Sequence, residues 1–278
     1  LLVIGLIFIT RIWPNSAIKQ FHWACLGLLI YYIVLYALRD YRILGRFRYL
    51  SGLGAVVLLL ITLLFGVTKG GATSWISLGV VNFETEELVK VAMLIFLASY
   101  LSEHEELLRV GTVQLGPLSL PDWRTLGPFL VMGAISLLLL AAQKSLGTAL
   151  VFYSLYVLVL YVVTERWIYL GVSVPIFLAT GALGYSLFGH VRVRVHTWLN
   201  PWVDTVDQGY QIAQSLFAIS GGKILGVGLG NGIGAIQVPA AGTDFIFSII
   251  AEELGFAGAM AILMLFLVVV MRAFQISL

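Results

Sequence analysis

Residues 242–271 read GTDFIFSIIAEELGFAGAMAILMLFLVVVM. From Phe245 onward the only charges are Glu252 and Glu253, and the run exceeds the roughly 20 residues that cross a hydrocarbon core. In lipid only helices and closed barrels satisfy every backbone group, and a long unbroken apolar run predicts a helix. Yet three carboxylates, Asp244, Glu252 and Glu253, ride on this segment, where ionisable groups are costly and mark function or pairing. Asp244 stands at its N-terminal end, and the glutamates follow about 12–14 Å further along the axis.

The whole chain has the same character. Its 278 residues are 60% hydrophobic and 11% charged, with a mean hydropathy of +1.00. A water-soluble domain could not cover its surface with so few polar groups. A net charge of +2 gives no sign of a nucleic-acid partner. The single cysteine, Cys25, excludes intrachain disulfides and cysteine-cage metal sites, and in its apolar run reads as a small hydrophobe. His22, His104, His190 and His196 have no ligand spacing, so no metal site is assigned to them.

Apolar runs at 1–10, 22–38, 52–66, 86–101, 127–142, 147–163, 167–188 and 245–271 predict an all-α, polytopic transmembrane helix bundle with eight spans in a single integral-membrane domain, 1–278. The first run is short and reads as the end of a span or as a signal-type apolar stretch. The loop RDYRILGRFRYL carries Arg39, Arg42, Arg46 and Arg48 and is expected on the cytoplasmic side. Alternation then places 11–21, 67–85 and a large loop at 189–243 outside. It places 102–126, 164–166 and Arg272 inside.

Asp244 thereby acquires an external address. Thr243 or Asp244 could cap the last helix, since either residue suits an N-cap; alternatively Asp244 belongs to an external site. Glu252 and Glu253 read as interior polar groups, at least one of them protonated or paired. Pointing about 100° apart, they cannot both share the cavity that Asp244 faces. In FETEELVK, residues 83–90, Glu87 and Lys90 share a helix face and can pair, while Glu84 and Glu86 are expected at the interface. The stretch AAQKSLGTAL places Gln143, Lys144 and Ser145 in an external turn eased by Gly147, with Lys144 able to face an anionic headgroup.

In the large loop, Arg192 and Arg194 alternate with valine, giving a short basic strand or a phosphate clamp. Asn200-Pro201 is a turn. GYQIAQSLFAI, with Ile212, Leu216 and Ile219 beside Gln211, Gln214 and Ser215, predicts an interfacial amphipathic helix. Trp198 and Trp202 suit a headgroup-level belt. The glycines from Gly221 to Gly234 do not form a dinucleotide fingerprint, and no strand precedes them. They predict a flexible re-entrant or surface loop able to approach a ligand closely.

Taken together, these stretches resemble the SEDS family (shape, elongation, division and sporulation; RodA, FtsW and SpoVE). WISLG followed by FETEELVK resembles W-x-x-L-G and F-Q-P-S-E-L-x-K. QKSLGTAL resembles Q-P-D-L-G-T-A. GYQIAQSLFAISGGKILGVGLGNG resembles G-Y-Q-x-x-Q-S-x-x-A-I-x-x-G-G-x-x-G-x-G-x-G, and VPAAGTDFIFSIIAEELGFAG resembles P-E-A-H-T-D-F-I-F-x-x-I-x-E-E-L-G. The chain departs at Glu84-Thr85-Glu86, where the pattern has Gln-Pro-Ser. It departs again at Lys144-Ser145, where the pattern has Pro-Asp, and at Gly242, where it has His.

The resemblance implies ten spans, of which about eight are legible here. It implies a peptidoglycan glycosyltransferase that polymerises lipid II, an undecaprenyl-pyrophosphate-linked disaccharide peptide, at the outer face of the bacterial cytoplasmic membrane. A class B penicillin-binding protein is the implied transpeptidase partner. The key acid corresponds to Asp244, as general base or as the carboxylate holding a divalent cation (Mg²⁺ or Mn²⁺). Glu87 and Lys90 correspond to the family's acid–base pair. Arg192, Arg194, Thr243, Gln143 and Gln211 are the expected supporting residues. A lipid II flippase and a non-catalytic scaffold for the transpeptidase are the alternatives.

Overall fold

The computed structural model describes residues 1–277 apart from 41, 70, 78, 80–81, 111–112, 116–117 and 121–122. The chain forms two compact units: residues 1–37 with 181–278, and residues 38–180. It opens with α1 (Leu2–Ile12) and α2 (Pro14–Ala37). Only Trp13 separates them, so residues 11–21, expected as an external loop, are largely helical. Pro14 is the reason for so sharp a start: its fixed φ and missing N–H fit the first helical position.

The second unit contains α3 (Ile43–Arg46) and α4 (Arg48–Phe65). The connection from α4 to α5 (Thr85–Glu103) is an antiparallel sheet, β1 (Val67–Lys69), β2 (Ala72–Ser77) and β3 (Asn82–Glu84), in the order β1-β2-β3. After α6 (Glu105–Val110) comes a short hairpin, β4 (Val113–Leu115) with β5 (Leu118–Leu120). Then follow α7 (Trp123–Ala142), α8 (Leu146–Thr164) and α9 (Trp167–Leu187). The core lies among α4, α5, α7 and α8, where Leu59, Met93, Phe96, Leu140, Phe152 and Tyr156 are buried. Small residues set the helix spacing there: a Cβ on Gly133 would fall 2.8 Å from the Tyr156 ring, the close approach by which membrane helices associate.

The chain returns to the first unit with α10 (Gly189–Leu199), α11 (Tyr210–Gly221), α12 (Gly234–Gln237) and α13 (Ile246–Ser277). The loop at 189–243 is thus partly helical. Arg192 and Arg194 lie on α10, not on a strand. Two residues apart on a helix they point about 200° from one another, so they cannot clamp one phosphate between them.

In α11 the buried residues are Ala213, Ser215 and Ala218, while Leu216, Phe217 and Ile219 are exposed. The apolar face of the expected interfacial helix is thus the one turned away from the protein. Small residues face the protein and allow close helix packing, with Ser215 Oγ 2.8 Å from Ser248 Oγ on α13; the large apolar side chains are left for lipid.

Among the described residues six helices are long and apolar enough to cross a membrane: Pro14–Ala37, Arg48–Phe65, Arg124–Ala142, Leu146–Thr164, Trp167–Leu187 and Ile246–Ser277. The other two expected spans are α1, too short to cross by itself at about 16 Å, and α5, whose ends carry Glu86, Glu87, Lys90 and Glu103. The exposed apolar side chains of α2 and of the second half of α13 form the lipid-facing surface of a multi-pass membrane protein.

Candidate active site

The three acids of the opening stretch have different surroundings. Asp244 lies in a turn preceding α13. Ala240, at φ 55°, accepts from the N–H groups of Thr243 and Phe245 at 3.0 and 3.3 Å. Thr243 Oγ1 turns back to donate to the same carbonyl at 3.2 Å. Among the described residues Asp244 makes no capping hydrogen bond, and its side chain is exposed. The turn that carries it rests on Trp13, whose ring lies against Gly242.

Glu252 and Glu253 are buried, at 5% and 1% exposure, and both face the glycine loop. Glu252 Oε1 accepts from the Ile233 N–H at 3.1 Å and Oε2 from the Gly234 N–H at 2.9 Å. Glu253 Oε2 accepts from the Gly230 N–H at 2.9 Å. Its Oε1 lies 3.5 Å from Arg11 Nη2, an ion-pair distance rather than a hydrogen bond. Arg11 also donates to the carbonyls of Gly230 and Gly232. The acids replace backbone partners for a loop that forms no regular structure of its own.

α13 is interrupted just beyond the two glutamates, at Gly255, with φ 69° and ψ −171°, which frees their main-chain carbonyls for the loop. Val227 and Gly228 donate to the carbonyls of Glu252 and Glu253, and Phe256 and Ala257 donate to those of Lys223 and Ile224. The loop is therefore bonded along α13, not flexible. A Cβ on Gly234 would fall 2.4 Å from Glu252 Oε2, and one on Gly222 would fall 2.0 Å from the Ala251 carbonyl. What these glycines approach closely is the helix.

In the second unit Glu87 and Lys90 pair as expected, at 2.6 Å. Their side chains are 62% and 35% exposed, so the pair lies at an accessible first turn of α5 and not in a dry core. Glu84, preceding that turn, has its carboxyl raised above the ordinary value by partial burial, reinforced by repulsion from Glu86 and Glu87 and opposed by Lys90.

Glu86, expected at the interface, is instead buried at 2% exposure. Ser145 Oγ donates to its Oε2 at 2.9 Å, and Thr148 Oγ1 donates to the same oxygen. Gln143 is fully buried, its Nε2 donating to the Leu59 carbonyl at 2.7 Å and its main-chain carbonyl accepting from the Thr73 N–H at 2.9 Å; it ties the α7–α8 turn to α4 and β2. Gln211 is exposed on α11. Arg192 donates to the Ser186 carbonyl at 3.3 Å and lies over the Tyr185 ring, while Arg194 is exposed. Thr243 and Asp244 thus share one turn of the first unit, and Glu87, Lys90 and Gln143 belong to the second.

Residues 9–278 match the sequence family described as "Cell cycle protein", FtsW/RodA/SpoVE. The chain belongs to that family. The peptidoglycan glycosyltransferase RodA of Mycobacterium tuberculosis is 37% identical over 263 residues, which cover 94% of this chain and 56% of that protein. The chain therefore spans about half the length of the curated relatives it matches. A solved structure concerned with coordination of polymerization and crosslinking by a peptidoglycan synthase complex aligns at a TM-score of 0.76 and 26% identity, over 99% of this chain and 74% of that one. RodA of Thermus thermophilus aligns at a TM-score of 0.63 and 23% identity, over 99% and 70%, and shows the shared fold.

Two of this chain's departures from the FtsW/RodA/SpoVE pattern meet in space. Glu86 and Ser145, two positions at which the chain departs from the pattern it resembles, are in hydrogen-bond contact. The neighbouring departure is local in origin. Lys144 stands at φ 59°, which the ring of the pattern's proline forbids. Sequence reasoning missed the carboxylate–loop bonding of Glu252 and Glu253; the signal was the coincidence of two adjacent acids with an unusually glycine-rich loop. It also missed Asp204, which organises the turn after α10 by accepting from the N–H groups of Asp207 and Gln208, bonds that hold its carboxyl below the ordinary value.

Proposed function

We propose that the protein is a peptidoglycan glycosyltransferase that polymerises lipid II at the outer face of the bacterial cytoplasmic membrane. The observation that carries the reading is Asp244: an exposed carboxylate with no capping task, on a turn braced by Trp13 and by bonds to Ala240. Family membership and the name of the Mycobacterium tuberculosis relative supply the reaction class. The arginines at 39–48 support an orientation with Asp244 outside when α5 is counted as a crossing helix beside the six long apolar ones.

Glycosyl transfer requires a base for the acceptor's sugar hydroxyl as pyrophosphate leaves the donor's anomeric carbon. Asp244 takes that proton, or holds Mg²⁺ or Mn²⁺. Among the described residues no three His, Cys, Asp or Glu side chains gather as a metal cluster. A single carboxylate suits Mg²⁺, which binds through one or two carboxylates together with substrate phosphates and would supply charge stabilisation of the leaving diphosphate. An arginine of α10, in the same unit as Asp244, is a cationic group for the same task. Thr243 and Gln211 are exposed polar groups for the sugars. Gln143 contributes by holding the α7–α8 turn. A class B penicillin-binding protein is the proposed transpeptidase partner, consistent with the polymerising and crosslinking complex to which the fold is similar.

Incubating the purified protein and its partner with lipid II, and resolving the products on a gel, tests the reading. Glycan strands are expected. A protein that carries lipid II across vesicles without elongating it would be a flippase. One that does neither would be a scaffold.

A further inference from the structure

Glu86 is a buried carboxylate to which the proposed reaction gives no task. It sits in the first turn of α5, with Oε2 accepting from Ser145 and Thr148 and Oε1 buried without a hydrogen-bond partner. The α7–α8 turn carries a second such oxygen. Gln143, two residues before Ser145, gives Nε2 to the Leu59 carbonyl, which leaves Oε1 buried and unpartnered. Exchanging the amide's oxygen and nitrogen does not help, because the Leu59 carbonyl would then face an oxygen. The neighbouring hydroxyls are already engaged: Thr62 donates to Thr85, and Thr85 donates to the Ser74 carbonyl.

Both orphan atoms are acceptors, and the cluster carries one formal negative charge. Among the described residues no Lys, Arg or His lies within ion-pair distance of Glu86. Lys90, the basic residue of the same helix, is held by Glu87. The helix N-terminus contributes only a partial positive charge, and hydroxyl donors remove none. A water molecule would satisfy the oxygens but leave the charge buried with no described side chain to balance it, the costly outcome in a dry core. A cation meets both needs.

We propose that Glu86, Gln143, Ser145 and Thr148 hold a monovalent cation, sodium or potassium, where α5 meets the α7–α8 turn. One carboxylate, one amide oxygen and two hydroxyl oxygens form an all-oxygen set suited to hard cations. A single negative charge balances a single positive one. The hydroxyl protons point to Glu86 Oε2, so lone pairs on Ser145 and Thr148 remain for the ion. Occupancy would lock the α7–α8 turn onto the helix that carries Glu87 and Lys90.

The test is thermal unfolding of the purified protein in sodium, potassium or choline chloride at equal ionic strength. The melting temperature is expected to rise with sodium or potassium concentration and not with choline, as linkage requires of an ion bound by the folded state. Glu86→Gln abolishes that dependence, while Glu106→Gln, which removes an exposed carboxylate, leaves it. Should Glu86→Gln fail to fold, Ser145→Ala is the second variant, expected to raise the half-saturating concentration about tenfold. Equal melting in all three salts, an unchanged dependence in the Ser145 or Glu86 variant, or a melt that follows pH and not cation (identifying a proton as the counter-ion) each overturns the proposal.

Discussion

The indole of Trp13 fills the space in which a side chain at Gly242 would stand: a Cβ there would fall 2.6, 2.8 and 3.0 Å from carbons of that ring. Gly242 begins the turn that ends in Asp244, so the break between α1 and α2 braces the candidate base. Gly242→Ala is expected to cost about 1–3 kcal/mol through overpacking and to lower polymerisation. Adding Trp13→Ala removes the obstacle, so the double variant should melt higher and polymerise faster than Gly242→Ala alone. Additive losses in a double-mutant cycle of melts and rates would show that the two residues are uncoupled.

Glu253 and Arg11 yield a prediction about the glycine loop. Glu253→Gln can still accept from the Gly230 N–H and loses the ion pair of the buried carboxylate with half-exposed Arg11, so a smaller loss than that of Glu253→Ala is expected. Glu253→Ala leaves that N–H without its partner and should cost about 1–3 kcal/mol more. Hydrogen exchange at residues 226–234 should accelerate in the alanine variant only. Equal protection in both would remove the carboxylate from the loop's support.

The fold was legible because hydrophobic runs the length of a bilayer admit few other readings; residues 147–163 became α8 almost as bounded, and 245–271 became α13, which is interrupted at Gly255 and runs on to Ser277. What failed was local. The 11–21 loop vanished because Pro14 restarts a helix at once, and the alternating arginines at 192 and 194 imitated a strand by period alone. Asp244 was legible as an external acid, but whether it caps the helix depends on the path of the Ala240 turn, which composition does not encode. The burial of Glu86 was illegible for a related reason: its hydroxyl partners, Ser145 and Thr148, lie two helices away, and only packing brings them together.

Exposure of the Glu87–Lys90 pair separates its structural from its functional weight. With side chains 62% and 35% exposed, the pair should contribute less than about 1 kcal/mol to stability. Glu87→Gln and Lys90→Met are therefore expected to melt near the parent protein. A large drop in polymerisation by either variant, with the melt unchanged, marks the pair as part of the site. Unchanged polymerisation by both returns it to the status of a surface ion pair.

Orientation rests on Arg39, Arg42, Arg46 and Arg48. In a Cys25→Ala background, Val206→Cys, 87% exposed, should react with an impermeant maleimide in intact cells. Arg46→Cys should react only after permeabilisation. The reverse pattern would put Asp244 on the cytoplasmic side and sink the external site.

Asp244→Asn decides the central question because it keeps shape while removing charge and basicity. No hydrogen bond of the Asp244 side chain supports the turn among the described residues, so folding, membrane insertion and partner binding should survive, with a melt within about 0.5 kcal/mol of the parent as for ordinary surface changes. Polymerisation of lipid II should fall by the roughly 10²–10⁴ typical of losing a general base. The comparison variant is Thr243→Ala, which gives up the bond to the Ala240 carbonyl but leaves the carboxylate; a modest loss of stability, about 1 kcal/mol, and a loss of rate well below that of Asp244→Asn are expected. Glycan formation by each purified protein with its transpeptidase, beside its thermal melt, gives both quantities. A well-folded Asp244→Asn protein that polymerises at the parent rate would take Asp244 out of the chemistry and leave the braced turn without a catalytic purpose.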